Sequence, residues 1–89
     1  MATIDVVPTS GTFYGIAAYV DGSLAFLALN GNEGHWSGAA ENIHIAAVGN
    51  SGATYACTVG GTKKSGAPFP AHAAVVHTLS VDGHFSETL

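Results

Sequence analysis

Nine residues, Asn30 to Gly38, hold the only tryptophan of the chain together with a glutamate, a histidine and two asparagines, set among three glycines. Asparagine and carboxylate offer planar, two-point hydrogen bonding, and an aromatic ring offers a face for C–H groups to stack on. Asn32, Glu33, His35 and Trp36 supply that combination within five residues, while Gly31, Gly34 and Gly38 allow close approach of the backbone. The ligand chemistry that matches is a polyol with one apolar side, which is a sugar. The competing reading is that Trp36 plugs the core beneath a glycine-rich turn, since buried tryptophan is common in small β domains.

Other candidate chemistry is thinner. Five histidines, His35, His44, His72, His77 and His84, raise the question of a metal. A zinc site needs three or four converging ligands, commonly closely spaced on one element. No histidine pair has such a spacing, and the odd interval from His72 to His77 points them to opposite faces of a strand. Neither a metal nor another cofactor is therefore expected. Serine, histidine and acid are present without a Gly-x-Ser-x-Gly elbow, and Cys57 sits mid-strand among apolar neighbours, so no catalytic residue is assigned and the protein is expected not to be an enzyme. In the group Asp82-Gly83-His84-Phe85, turn formation accounts for the Asp and Gly, which leaves His84 as a second-tier sugar contact.

Composition limits what can position these residues. Eighty-nine residues make a single domain spanning residues 1 to 89, and such a chain buries only roughly 60–65% of its unfolded surface. The single cysteine excludes an internal disulfide. Charged residues are 9% of the chain against a usual share of about 25%. A thin core with so little charge to keep copies apart favours a homodimer. There is no arginine, Lys63 and Lys64 are the whole basic inventory and the net charge is −4, which argues against a nucleic-acid partner. No apolar run is long enough for a membrane helix, so no membrane insertion is expected. The start Met-Ala-Thr-Ile-Asp lacks the basic and apolar segments of a signal peptide, and no asparagine is followed two places on by Ser or Thr. The expected location is the cytoplasm, or outside the cell without a visible signal peptide.

The pattern of β-formers and turn residues predicts an all-β fold, an antiparallel meander of six to seven short strands forming a small sandwich or partly closed barrel. Thr3 to Val7, Thr12 to Val20, Ser23 to Leu29, Glu41 to Val48, Ala53 to Val59, Ala73 to Val81 and His84 to Leu89 read as strands. Asp21-Gly22 between apolar runs signals a tight hairpin, and Val81-Asp82-Gly83 reads as a second one. Gly15 suggests a bulge. Ser23 to Leu29 is apolar on both faces, which places it at the centre of a sheet or between core and subunit interface. Asn30 to Gly38 is the loop that follows it.

Taken whole, the chain resembles the small mushroom fruit-body lectins, most of all those of the Lyophyllum decastes type. The likeness lies in the Met-Ala-Thr start, one cysteine, low charge, abundant Gly, Ala, Ser and Thr, and the cluster Asn32-Glu33-Gly34-His35-Trp36. It implies a dimeric all-β protein that binds α-galactosyl sugars. The expectation is thus a carbohydrate-binding protein without catalytic activity whose partners are glycans, probed through Asn32, Glu33, His35 and Trp36. The alternative is a structural or protein-interaction domain, an inhibitor or a self-assembling subunit, that makes contact through Ser23 to Leu29.

Overall fold

A computed structural model describes residues 1–89. It contains eight strands and no helix: β1 (Ala2–Ser10), β2 (Phe13–Val20), β3 (Ser23–Leu29), β4 (Gly34–Gly38), β5 (Ile43–Gly49), β6 (Thr54–Gly61), β7 (His72–Thr78) and β8 (His84–Thr88). They form two four-stranded antiparallel sheets, in the orders β4-β1-β6-β7 and β3-β2-β5-β8, packed as a sandwich. The all-β class is as expected, with eight strands in place of six to seven and a sandwich rather than a closed barrel.

Alternation builds the interior. Ile4 and Val6 of β1 and Tyr55, Cys57 and Val59 of β6 face Ile16 of β2 and Ile43 and Ile45 of β5, all essentially removed from solvent. Full burial of an isoleucine or valine side chain is worth about 1.5–3 kcal/mol, so this row is the main source of stability. Phe13 meets Tyr55 edge to face, with ring centroids 5.9 Å apart.

The path of the chain is not a meander. Only β2-β3 and β6-β7 are consecutive strands that pair; every other connection crosses between the sheets. Asp21-Gly22 forms the expected tight hairpin, with φ of 51° and 83° and Val20 paired with Ser23. The second Asp-Gly differs. Its turn is closed by Gly83 N–H donating to Ser80 O, but it carries the chain from β7 in one sheet to β8 in the other. The same local turn serves a hairpin or an arch, and the choice depends on which sheet can accept the next strand.

Four further features of the sheets bear on these expectations. The strand β3 is an edge strand, not a central one. Its register against β2 slips between Ala18 and Tyr19, so that Leu24 joins Leu27 and Leu29 on the exposed side while Phe26 and Ala28 turn inward. The expected bulge at Gly15 is present, between Phe13 and Gly15 against β5. Most of the expected loop, from Gly34 onward, is the strand β4, paired with β1 from Gly38 opposite Ala2 to Gly34 opposite Val6. Glycine is required at 34, because a Cβ there would lie 2.1 Å from Phe26 Cε1.

Candidate functional site

The pairing of β4 with β1 creates the first candidate site. Asp5 stands opposite His35 and Thr3 opposite Ser37, on the outward side of the sheet. Thr3, Asp5, His35, Trp36 and Ser37 line an open cleft of about 450 Å³. His35 lies between two carboxylates: Nδ1 is 2.6 Å from Asp5 Oδ1 and Nε2 is 3.1 Å from Glu33 Oε1. Glu33 reaches it because residues two apart near a strand share a face. The Asp5 contact first, and the Glu33 contact second, hold the His35 pKa above its ordinary value. The imidazolium form satisfies both acids, while the second oxygen of Asp5 receives no hydrogen bond from the protein.

Trp36 points the other way. It is paired with the buried Ile4, packs against the core cluster and lies over Gly38, where a Cβ would come within 2.7 Å of its Cζ2. Half-buried, the ring covers the core, as the plug reading expected, while the residue borders the cleft. Asn32 is not in the cleft: it ends the Asn30-Gly31 turn, where its N–H donates to Leu29 O, and its side chain is exposed. His84 lies apart as well, exposed on β8 of the other sheet opposite Val48. Of the expected sugar contacts, then, His35, Trp36 and the neighbouring Glu33 come together, and Asn32 and His84 do not join them. Asp5, Thr3 and Ser37 were missed. Their alternation with Ile4 and Val6 marked an outward polar face, but its meeting with β4 depends on a pairing some thirty residues distant.

A second cluster lies at the opposite edge of the sandwich, and it corrects the expectation for His72 and His77. Against β6, Cys57 pairs with Val75 and Val59 with His72, so that β7 carries one extra residue. Ala74 absorbs it with a φ of 49°, and its N–H donates to Thr58 Oγ1 at 2.8 Å. The bulge reverses the parity of the strand. Both histidines consequently face inward, their rings stacked at 5.5 Å and their Nε2 atoms 3.4 Å apart.

Glu87 of β8 meets them from the other sheet. Its Oε1 is 3.0 Å from His77 Nε2 and 3.4 Å from His72 Nε2, yet no donor is aligned on it, and it is buried without a hydrogen-bond partner. Cys57 lies alongside, and its thiol is pushed up to about 12, by burial first and then by the charge of Glu87. Tyr55 OH is also buried and unpartnered; burial, followed by the Glu87 charge, raises its pKa well above the usual phenol value. Phe85 stacks on His77 at 4.4 Å and fixes the plane of that ring.

The fold and these two sites define a small antiparallel sandwich with an open polar cleft on one face and a histidine-carboxylate-thiol cluster at one edge. Compared with protein families, curated proteins and solved structures, the chain matches none.

Proposed function

We propose that the protein is a non-catalytic carbohydrate-binding protein whose sugar site is the cleft between β1 and β4. The observation that supports this is the lining of the cleft: a carboxylate with a free oxygen, Asp5, held in place by His35, beside the hydroxyls of Thr3 and Ser37 and the residue Trp36. Sugar hydroxyls donate to Asp5 and Glu33, Thr3 and Ser37 donate or accept, and Trp36 meets a C–H patch. A terminal galactose-type sugar is the ligand expected from the resemblance of the sequence. An open site of this kind binds single sugars weakly.

Self-association supplies the avidity. The outer side of the β3-β2-β5-β8 sheet exposes Leu24, Leu27 and Leu29 at 55%, 52% and 49%, with Tyr14 and Val48 beside them, and none of its outward residues is an acid, lysine or arginine. A second copy presenting the same uncharged face is the matching partner, and two such chains carry two clefts on opposite outer surfaces, so clustered glycans are held by both. The self-assembling alternative uses this same surface without a sugar.

A glycan array on purified protein, followed by calorimetric titration of the best ligand, tests the reading. Binding should be saturable and should disappear in Asp5→Asn while the thermal unfolding curve stays in place. An array without signal, or binding untouched by Asp5→Asn, overturns the assignment; dimerisation without any glycan signal leaves the structural alternative.

A further inference from the structure

We propose that Cys57, His72, His77 and Glu87 form a tetrahedral site for a divalent transition metal of the zinc class, which ties the two sheets together. The proposal is independent of the sugar site. It stands on convergence: the ligand atoms of Cys57, His72 and Glu87 all lie within 4.8 Å of one another, and His77 Nε2, close to two of these three at 3.0 Å from Glu87 Oε1 and 3.4 Å from His72 Nε2, is within reach as a fourth. A zinc ion with nitrogen and oxygen ligands about 2.0–2.1 Å away sets those ligands about 3.3–3.4 Å apart along the tetrahedral edges. The three separations among the His72, His77 and Glu87 ligand atoms are 3.4, 3.4 and 3.0 Å.

A second observation points to a ligand. Glu87 Oε1 is buried with no hydrogen-bond partner, and His72, 9% exposed, turns its Nε2 toward that oxygen and toward another Nε2. One imidazole can donate to the other across their Nε2 contact, which still leaves the Glu87 oxygen without a donor, and buried polar groups are seldom left so. The donor set, two imidazoles, a thiol and a carboxylate, suits zinc, cobalt or nickel better than calcium or magnesium, which take oxygen alone.

The placement indicates the role. Cys57 is on β6 and both histidines are on β7 of one sheet, while Glu87 is on β8, the edge strand of the other. Four protein ligands close the coordination sphere, as in structural rather than catalytic zinc sites. A chain with a thin core and no disulfide gains from a cross-link of this kind. On binding, the Cys57 thiol and any protonated imidazole release their protons to solvent, and the ion takes the four lone pairs.

The test uses the untagged full chain. After incubation with zinc and desalting, elemental analysis should find one zinc per chain. Saturation at about 100 times Kd should raise the melting temperature by roughly 10–20 °C relative to chelator-treated protein. Substitution with cobalt should give the strong visible bands of a tetrahedral ion together with a near-ultraviolet thiolate charge-transfer band. Cys57→Ser should delete the charge-transfer band, and His77→Gln should weaken binding by about 100-fold or more. Substoichiometric metal with a melting curve indifferent to zinc and chelator overturns the proposal. So does a cobalt spectrum unchanged by Cys57→Ser, which assigns the metal to other residues. The spectrum and melting shift of the unmodified chain decide the matter even if a variant fails to fold.

Discussion

His35 and the pair His72 and His77 meet carboxylates in opposite circumstances. At the cleft each His35 nitrogen faces its own acid, at 2.6 and 3.1 Å, in an exposed setting. At the edge cluster two histidines crowd a single buried oxygen that receives no aligned donor. The first arrangement is complete without a ligand, and water and salt screen its charges, so it contributes little to stability. It offers a visitor only the spare oxygens of its acids. The second is incomplete and shielded from water, where an unmet polar group is costly. The same residue types therefore make the proposed recognition surface in one place and the proposed ion cage in the other, and what differs is burial and the number of acids per histidine.

The largest expected effect takes both histidines out of the cage. Replacing His72 and His77 together with Ala removes the two groups that face the buried Glu87 oxygen. With Glu87 left uncompensated in the interior, urea unfolding should show a loss of about 3–5 kcal/mol. Next comes Trp36→Ala at the cleft. Because the half-buried ring also covers the core, the loss should be about 2 kcal/mol, roughly half that of a fully buried aromatic, and sugar affinity should fall with it. A smaller change sharpens the first: Ala74→Gly keeps the bulge and relieves the positive φ, so stability should rise by up to about 1 kcal/mol with the metal stoichiometry unaltered.

The smallest effect concerns pH. The folded pKa of His35 lies above its ordinary 6.5, chiefly through Asp5 and then Glu33, so its contribution is fully present below 6.5 and is lost as pH rises through the higher folded value. Nuclear magnetic resonance titration of the His35 ring should give a midpoint above 6.5, and Asp5→Asn should bring it down. A His35 midpoint indifferent to Asp5→Asn would remove the distinction drawn between the two sites.

What could be read in the sequence was what alternation and turn chemistry encode locally. Tyr55, Cys57 and Val59 on one face of a strand, the tight turn at Asp21-Gly22 and the bulge near Gly15 all follow from short-range rules, and together they specify an all-β class. The half of the cleft on β4 was legible as residues but not as a strand, since its five residues are paired only with β1, far away in the chain. The edge cluster was not legible. Its histidines are brought to one face by a positive φ at Ala74, a residue type that does not advertise that conformation, and its acid comes from a strand that Asp82-Gly83 delivers to the other sheet rather than back along β7. Leu24 shares the exposed side of β3 with Leu27 and Leu29 for a similar reason: a single extra residue reverses every side chain beyond it.

The molecule is a slab 37 × 22 × 18 Å whose broad sides differ in wetting. One carries threonine, serine and the cleft carboxylates; the other carries leucines, tyrosines and a valine with no acid, lysine or arginine among its outward residues. Such a slab is expected to act as a surfactant. Adsorbed at an air–water boundary it should turn the leucine side to the air and lower surface tension, and the proposed pairing with a second copy in bulk would compete for that same side. Surface activity per chain should accordingly decline as concentration passes the dimerisation midpoint, and a Leu27→Glu chain should show neither behaviour.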